Sequence, residues 1–368
     1  MIPVNRPLIE REDVESVTNA LVGTYISGET PTVREMEILL AKVTGVSESI
    51  AVSTGSAAID LVVEALEIKP GDHCIIPDFT IISTIANILR KGAKVHLIDA
   101  DPETWSIDAN AAANAINNKT KIVLPVHIYG LPADMDPILN AARDYKAFVL
   151  EDAAEALGVN YKGKPCGSLG DAGIFSFYAN KVVTGGEGGA ITTNNEELAG
   201  KLKSLRSLAH TGERFIHKEL GWNSRISGLS AALVKSQLNR LEALVDKKKA
   251  IASRYMRGLN ENPWLTFMPE KVSYSSNAFW VFPIVLNSEA PFDAKQYQLK
   301  LKENGIETRR FFCPMHLQPL ILNFDVQLNS DYKISTHLWN RGLYLPSGLG
   351  NTTEEIDKVI EVIWDLTK

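Results

Sequence analysis

The sequence predicts an α/β fold in which helices cover both faces of a mainly parallel sheet, followed by a smaller C-terminal α+β domain. In the first two-thirds of the chain, apolar runs of strand length alternate with longer amphipathic stretches. Polar residues follow several of these runs directly, as at the ligand crevice of an open α/β sheet. Beyond a helical pattern over residues 230–259 the elements become shorter. We therefore predict a large domain of residues 1–245 and a small domain of residues 246–368.

Each element follows from its pattern of apolar residues. Short, β-branched runs between turn residues predict strands, and longer stretches with apolar residues three and four apart predict helices. The predicted strands are residues 50–52, 74–76, 95–98, 122–126, 148–150 and 279–285. The predicted helices are residues 57–67, 81–91, 136–145, 196–208, the long stretch 230–259, and the closing helix 354–366.

Composition excludes some classes of function. The net charge of -6 and the pI near 5.7 argue against a general binder of nucleic acid or membrane surfaces, because both are polyanions. The N-terminus has no apolar signal core, and no apolar run is long enough to span a membrane. Cys74, Cys166 and Cys313 are far apart and lack metal-ligand spacing, which is typical of reduced, buried thiols. We expect a cytoplasmic protein without a metal site.

Residues 173–191 form the most informative segment, which we predict to be an aromatic strand ending at Lys181 and passing into a glycine-rich turn. Partial desolvation and a neighbouring cation lower the pKa of an ammonium group, and the free amine can then form a Schiff base with a carbonyl. A lone lysine beside such a turn is more often an ordinary surface residue. The assignment therefore depends on the rest of the chain.

A second segment ends an apolar strand with the carboxylates Glu151 and Asp152. A buried carboxylate needs a partner, and the protonated pyridine nitrogen of pyridoxal phosphate is one. We assign this role to Asp152. A metal ligand is a poorer alternative because no His or Cys cluster accompanies it, whereas a helix N-cap remains open as a second role.

A third segment, residues 50–59, reads as a strand, a tight turn and the start of a helix rich in small residues. The free N–H groups of a helix N-terminus and the Ser56 hydroxyl suit a phosphate group. Alone this pattern is weak, since many strand-to-helix turns share it. Its place before Asp152 and Lys181 gives it weight.

In this order, the three segments resemble the DegT/StrS family of nucleotide-sugar aminotransferases, which are fold-type I enzymes dependent on pyridoxal phosphate. The resemblance extends over nearly the whole chain, through residues 2–4, 25–28, 125–130, 167–171, 223–225 and 314–316. It implies transfer of an amino group, from glutamate, to a nucleotide-linked 4-keto-6-deoxy sugar. GDP-4-keto-6-deoxymannose is the substrate it favours, with a dTDP- or UDP-linked keto-sugar as the alternative.

The resemblance also implies roles for individual residues. Lys181 would carry pyridoxal 5'-phosphate as a Schiff base, with pyridoxamine 5'-phosphate as the intermediate form, and would move the proton. Asp152 would pair with the pyridine nitrogen, and Glu155 would lie near the phenolic oxygen, where many members have Gln. The phosphate would be held by Gly55, Ser56, Ser176 and, from the other subunit, Asn223, and Ala57 would also bind the cofactor. The protein would therefore be a homodimer with composite active sites.

Some positions depart from the family pattern or leave alternatives open. Ile81 stands where the family has an aromatic residue stacked on the cofactor, so Phe79 is the candidate replacement. A related branch that dehydrates sugars has His at the position of Lys181, which favours transamination here. A regulator that merely retains the cofactor would show a degraded site, unlike this chain. The candidate substrate-binding residues are Tyr25, His127, Tyr129, Arg225, Arg309, Arg310 and His316, although core or surface roles remain open for His127, Tyr129 and the arginines.

Overall fold

The computed structural model describes residues 1–210, 213, 215–217, 219–328 and 331–367. Its helices are α1 (Arg11–Val22), α2 (Pro31–Thr44), α3 (Gly55–Ala65), α4 (Ser83–Arg90), α5 (Ala109–Ala115), α6 (Met135–Tyr145), α7 (Glu196–Arg206), α8 (Gly228–Leu238), α9 (Leu241–Leu259), α10 (Ala294–Glu303), α11 (Lys333–Arg341) and α12 (Thr353–Thr367). Its strands are β1 (Glu48–Val52), β2 (His73–Pro77), β3 (Lys94–Ile98), β4 (Thr120–Val123), β5 (Phe148–Asp152), β6 (Asn160–Tyr161), β7 (Lys164–Pro165), β8 (Ala172–Ser176), β9 (Gly189–Thr193), β10 (Leu265–Phe267), β11 (Lys271–Val272), β12 (Ser275–Ser276), β13 (Phe282–Leu286), β14 (Arg309–Arg310), β15 (Val326–Gln327) and β16 (Gly342–Leu345).

A large sheet forms the centre of the first two-thirds of the chain, with the strand order β1-β9-β8-β5-β4-β2-β3-β15. Neighbouring strands from β8 to β15 pair in parallel, whereas β9 runs antiparallel to both of its neighbours. The central strands are apolar and buried almost throughout, because helices cover both faces of the sheet. The predicted α/β fold with a mainly parallel sheet is confirmed.

A smaller antiparallel sheet follows, with the order β10-β13-β16-β14. It contains the strand predicted at residues 279–285, which begins later, at Phe282, and runs to Leu286. The predicted domain boundary at residue 245 falls inside α9, and Ile2 forms a bridge with Ile306 of the C-terminal part. The division into two domains stays a prediction.

Two predicted elements differ from the structure. The helical pattern over residues 230–259 is two helices, α8 and α9, separated at Asn239 and Arg240. At this break the Arg240 guanidinium contacts the carboxylates of Glu10 and Asp13. These ion pairs connect the junction of α8 and α9 to the start of α1. The strand predicted over residues 122–126 ends at Val123, although Val126 beyond it still forms an isolated parallel bridge with Asp152. Within the described chain, no helix has both the length and the apolar character to cross a membrane.

Candidate active site

A cleft of about 430 Å³ opens where the carboxyl ends of β5 and β8 meet the N-terminus of α3 and the edge of the smaller sheet. The carboxyl ends of parallel strands are the usual place for ligand sites in such folds. The predicted cofactor-binding residues on its wall are Gly55, Ser56, Asp152, Glu155, Ser176 and Lys181. Thus one cleft brings together the three segments that the sequence singles out.

Lys181 lies on a loop, not at the end of a strand as predicted. Strand β8 ends at Ser176, and the Gly185 N–H donates to the Phe177 carbonyl (2.9 Å), which closes the loop at its base. The Trp280 indole N–H donates to the Asn180 carbonyl (2.9 Å) and ties the loop to the smaller sheet. These two bonds fix the position of the lysine in the absence of a strand.

The amine of Lys181 is sheltered from water. Its Nζ lies 3.8 Å from the centre of the Trp280 ring and 3.6 Å from Glu155 Oε1, and only 12% of its side chain is exposed. Burial lowers the pKa of Lys181, although the nearby Glu155 and Asp152 carboxylates raise it. Because burial dominates, a larger fraction of Lys181 is the free amine that a Schiff base requires.

Glu155 faces the same amine. Its Oε2 accepts the Tyr129 backbone N–H (2.8 Å), which orients the carboxyl group towards Lys181. Burial raises the pKa of Glu155 to about 7, against the lowering effect of Lys181 and of the Tyr129 N–H. An ion pair with Lys181 would stabilise both charges, whereas burial opposes both charges. The opposite pKa shifts of the two groups show that burial is the stronger effect.

Asp152 is the last residue of β5 and is 4% exposed. Its Oδ1 accepts the Ala154 N–H (3.1 Å), but its Oδ2 has only a long contact of 3.5 Å with the Thr84 hydroxyl. Burial raises its pKa, and the hydrogen bond from Ala154 and the charge of Lys181 partly offset that rise. A buried carboxylate with one weakly bonded oxygen fits a cationic ring nitrogen, which would supply the missing partner. No helix begins after Asp152, so its bond to Ala154 closes a turn and is not a helix N-cap.

The N-terminus of α3 faces the cleft. The N–H groups of its first turn have no acceptor within the helix. One of them, the Ala57 N–H, donates to Thr54 Oγ1 (3.0 Å). Ala57 is thus engaged in the cap and is absent from the cleft wall, unlike the other predicted cofactor-binding residues of this turn, Gly55 and Ser56. A side chain at Gly55 would place its Cβ 3.0 Å from Ser176 Cβ, so glycine permits this close approach. The remaining N–H groups and hydroxyls suit a phosphate.

Ser83, at the start of α4, was not predicted as a site residue. Its hydroxyl accepts a hydrogen bond from Ser56 Oγ (2.8 Å), and both serines line the cleft. A serine that opens a helix after an apolar run is too common a pattern to have identified it. With Ser56 and Ser176 it gives the phosphate end of the cleft three hydroxyl groups.

Phe79 does not lie on the cleft wall, which corrects its assignment as the stacking residue. Its ring is 1% exposed and packs in an aromatic cluster, 5.8 Å from Phe311 and 6.1 Å from Tyr129 between ring centres. Ile81, which is 47% exposed, lines the cleft instead. The aromatic part of the wall comes from Trp280, Tyr178, Phe312 and Tyr344. The sequence indicated Trp280 only as part of a strand.

His127 and Tyr129 are both 0% exposed and cannot contact a sugar, which corrects their assignment as substrate ligands. His127 Nδ1 accepts the Ala133 N–H (3.2 Å), so its Nε2 donates to Glu151 Oε2 (3.1 Å). Tyr129 packs its ring in the aromatic cluster, its backbone N–H holds Glu155, and its carbonyl accepts the Trp280 backbone N–H (3.0 Å). Both side chains therefore pack in the protein interior behind the cleft wall and do not face the cleft.

Glu151 points away from the cleft, although it is adjacent to Asp152. Its Oε1 accepts the N–H groups of Leu169 (2.5 Å) and Gly170 (2.8 Å), and its Oε2 accepts that of Gly167 (2.8 Å). Side chains of neighbouring strand residues face opposite sides of a sheet. One carboxylate of the predicted pair thus serves the site, and the other fixes a loop.

The remaining predicted substrate residues are dispersed. Arg309 and Arg310 line the cleft, whereas Tyr25, Asn223, Arg225 and His316 are absent from its wall. The Arg310 guanidinium lies 3.7 Å from the Trp339 ring and donates to the Trp339 carbonyl (2.8 Å).

His316 lines a separate depression beside α11. Its Nδ1 is 2.7 Å from Asp78 Oδ2, and its ring stacks on Tyr332 with 4.6 Å between centres. The Asp78 carboxylate therefore fixes the orientation of this imidazole outside the cofactor cleft.

A sheltered lysine, a buried carboxylate and an anion site at the carboxyl ends of a parallel sheet define a fold-type I enzyme dependent on pyridoxal phosphate. The chain belongs to the DegT/DnrJ/EryC1/StrS aminotransferase family, whose sequence pattern matches residues 7–364. It is therefore a pyridoxal-phosphate-dependent sugar aminotransferase, as the sequence resemblance predicted.

Particular relatives differ in their substrates. The GDP-perosamine synthase of Caulobacter vibrioides is 34% identical over 363 residues, which are 98% of this chain and 97% of that protein. A UDP-N-acetyl-3-dehydro-alpha-D-glucosamine 3-aminotransferase of Acidithiobacillus ferrooxidans is 32% identical over 335 residues, 90% of this chain and 87% of that protein. The solved structure of E. coli GDP-4-keto-6-deoxy-D-mannose-3-dehydratase with bound hydrated PLP has a TM-score of 0.91 at 23% identity and covers 99% of both chains. At that identity the last likeness shows the fold alone.

Proposed function

We propose that the enzyme transfers an amino group from glutamate to GDP-4-keto-6-deoxymannose and so forms GDP-perosamine. The observation that carries the transamination is the position of Lys181 Nζ, held between Glu155 and Trp280 in the cofactor cleft. The similarity to GDP-perosamine synthase over nearly the full length of both chains supports the choice of sugar. The same reaction on a UDP- or dTDP-linked keto-sugar is the alternative, because a UDP-sugar aminotransferase is also similar.

Pyridoxal phosphate supplies an electron sink that stabilises negative charge at the reacting carbon of the substrate. Lys181 would hold it covalently, and the Lys181 Nζ, when free, would move the proton as general base and then general acid. Asp152, buried on the cleft wall, would be the carboxylate that pairs with the ring nitrogen. Trp280 covers the lysine and excludes water from the proton transfer.

Two other activities fit the fold less well. A sugar dehydratase of the related branch has His where this chain has Lys181, and a histidine cannot form the covalent link. A regulator that binds the cofactor without turnover has no need of an amine whose pKa burial lowers. The complete set of Lys181, Asp152 and Ser176 on one cleft wall therefore supports transamination.

The substrate is tested with purified holoenzyme, glutamate and a panel of GDP-, UDP- and dTDP-linked keto-sugars, with products identified by mass and NMR. We expect amination of the GDP-4-keto-6-deoxymannose and no product from a Lys181→Ala control. Amination of only the UDP- or dTDP-linked sugars would exclude the perosamine assignment and leave the aminotransferase assignment intact. Loss of a hydroxyl without gain of nitrogen would identify a dehydratase.

We also propose that the enzyme is a homodimer in which Asn223 acts in the cleft of the other subunit. Asn223 is exposed and is not on the wall of its own cleft. Nearby, Leu220 is 90% exposed and Trp222 is 37% exposed, as expected of an interface. The Ser53 N–H donates to the Ser224 carbonyl (2.8 Å), which keeps the segment beside the phosphate turn.

Subunit mixing tests this arrangement. Lys181→Ala and Asn223→Ala homodimers are each expected to be impaired, and unfolding and refolding them together creates mixed dimers. If Asn223 acts across the interface, one site of each mixed dimer has both native residues and activity returns. If each subunit contains its own Asn223, mixing restores nothing, and a monomer in light scattering would likewise contradict the proposal.

A further inference from the structure

Lys248, on α9, is a buried lysine that the proposed reaction does not use. It is 2% exposed, and its Nζ donates to the Ser347 carbonyl (2.6 Å). An ammonium group has three N–H donors, and among the described residues the other two have no acceptor. Burial lowers the pKa of Lys248 to about 7. Its remaining N–H groups therefore need a partner that the described residues do not provide.

A small cavity of about 10 Å³ lies between Lys248 and the loop of residues 177–185, which carries Lys181. Asn180 and Lys181 are on the walls of both this cavity and the catalytic cleft, so the loop separates the two spaces. The rest of the cavity wall includes Leu8 of the N-terminal segment and Gln237 of α8. Such a volume is close to the smallest that holds one water molecule.

Asn180 gives a second, independent indication that the cavity is occupied. Its side-chain Oδ1 is buried and has no hydrogen-bond partner within the described part of the chain. Its backbone carbonyl accepts the Trp280 indole N–H (2.9 Å), which fixes the main chain one residue before Lys181. A buried acceptor without a partner is unfavourable, so Oδ1 needs a donor in a space that Asn180 borders.

Two other polar side chains on the cavity wall are already bonded. Gln237 Oε1 accepts the Thr184 N–H (2.9 Å), and Gln237 Nε2 donates to the Leu8 carbonyl (3.2 Å). The Thr184 hydroxyl donates to the Phe177 carbonyl (3.1 Å). Lys248 thus has unused donors, Asn180 has an unused acceptor, and both border the same water-sized space.

We infer that one ordered water molecule in this cavity joins Lys248 Nζ to Asn180 Oδ1, and that Lys248 is thereby a positioning residue for the loop that carries Lys181. The water accepts a hydrogen bond from Lys248 and donates one to Asn180. It holds the side chain next to Lys181 from the side of the loop that faces away from the cleft. The inference rests on the proposed role of Lys181 as the cofactor lysine.

A high-resolution crystal structure of the holoenzyme tests the water directly. We expect one water molecule within about 3.2 Å of both Lys248 Nζ and Asn180 Oδ1. In Lys248→Met, which keeps the apolar stem and removes the ammonium group, this water should be absent. An empty cavity in the unmodified enzyme, or an Asn180 Oδ1 bonded to another group, would overturn the inference.

Hydrogen exchange of the holoenzyme, followed by mass spectrometry of peptides from residues 177–185, tests the positioning role. Lys248→Met removes the donor and Asn180→Leu the acceptor, and each should speed exchange in this loop about 3- to 10-fold, the effect of losing one net hydrogen bond. The double variant should exchange no faster than the faster single variant, because both changes break the same bridge. Effects that multiply in the double variant would contradict the bridge. Lys247→Met, which removes an exposed charge on the same helix, should match the unmodified enzyme.

Steady-state kinetics connect the bridge to Lys181. Both single variants should lower kcat by a similar factor and leave KM for the keto-sugar unchanged, because they displace the proton-carrying amine and no substrate contact. The double variant should lower kcat no further. An unchanged kcat in a variant whose loop exchanges faster would refute the positioning role.

A purely structural role of Lys248 gives a different pattern. If Lys248 only ties α9 to Ser347, Lys248→Met lowers the melting temperature but leaves exchange in the loop unchanged. If Lys248→Met does not fold, Lys248→Gln keeps N–H donors and should speed exchange less than Asn180→Leu does, and an unchanged rate in Asn180→Leu overturns the inference. Cofactor absorbance that survives in Lys181→Ala would refute the proposed role of Lys181, yet the crystal structure and hydrogen exchange would still decide whether the bridge exists.

Discussion

The two ends of the catalytic cleft are built in different ways. At the cofactor end, Asp152 and Glu155 are buried, and a backbone N–H fixes one oxygen of each. At the substrate end, Arg309 is exposed and forms no ion pair with any described residue, and Tyr25 is 48% exposed and lies off the cleft wall. The cofactor end is thus fixed by the sheet and its adjoining turns, whereas the substrate end consists of side chains that a ligand must order.

This difference explains why the chemistry is easier to identify than the substrate. Reaction type depends on a few buried groups whose positions follow from strands and a helix N-terminus. Substrate choice depends on exposed residues from distant parts of the chain, where small changes alter specificity. If this comparison is right, changes at the cofactor end should affect every substrate equally, and changes at the substrate end should affect one substrate at a time.

The largest effect is expected for Lys181→Ala. Loss of both the covalent link and the proton carrier should lower kcat by at least about 10⁴-fold with every sugar and donor. The absorbance of the lysine-bound cofactor should vanish even when excess pyridoxal phosphate is added. A variant that keeps this absorbance would show that another lysine carries the cofactor.

Asp152→Asn is expected to have the next largest effect. Asparagine keeps the shape but cannot supply the negative charge for the ring nitrogen, so kcat should fall about 10²- to 10³-fold. The cofactor-free protein should be as stable as before or more stable, because a buried carboxylate without a cationic partner is unfavourable. Cofactor titration and thermal unfolding measure the two effects. A loss of stability in the cofactor-free variant would indicate a structural role instead.

Glu151→Gln tests the other carboxylate of the same strand. The NH₂ group of the Gln side chain must face either the Leu169 and Gly170 N–H groups or the Gly167 N–H and His127. In both orientations a hydrogen-bond donor then lies opposite other donors, and hydrogen bonds are lost. We expect a loss of about 2–4 kcal/mol in the free energy of unfolding. Below the unfolding transition, kcat should change little. A strong loss of kcat in folded protein would place Glu151 in the catalytic machinery.

The sequence predicted the cofactor end best because its signals are local. A strand that ends at Asp152, and a turn followed by a helix at Gly55, specify positions within a few residues of the pattern. Trp280 was missed as a site residue, because it reaches Lys181 from the segment just before β13, 100 residues further along the chain from Asn180. His127 was misplaced because β4 ends at Val123, and strand alternation therefore says nothing about where residue 127 points.

The smallest effect concerns the protonation state of Glu155. A protonated Glu155 would face a neutral Lys181, whereas an ionised Glu155 would form an ion pair with a charged Lys181. Burial raises the pKa of Glu155 from 4.5 to about 7 in the cofactor-free protein. The folded state then binds a proton more tightly than the unfolded state. The stabilisation from this group is complete below pH 4.5 and is lost as the pH rises through 7.

Glu155→Gln removes the titrating group and nearly keeps its shape. Relative to this variant, the unmodified cofactor-free protein should lose about 2–3 kcal/mol of unfolding free energy between pH 4.5 and pH 8, measured by urea titration. Burial lowers the pKa of Lys181, which gives the opposite slope, and Glu155→Gln also removes the Glu155 charge that partly offsets this lowering. Parallel stability curves would instead mean that Glu155 stays ionised as the partner of a charged Lys181. In that case cofactor loading must remove a proton from the lysine before the covalent link forms.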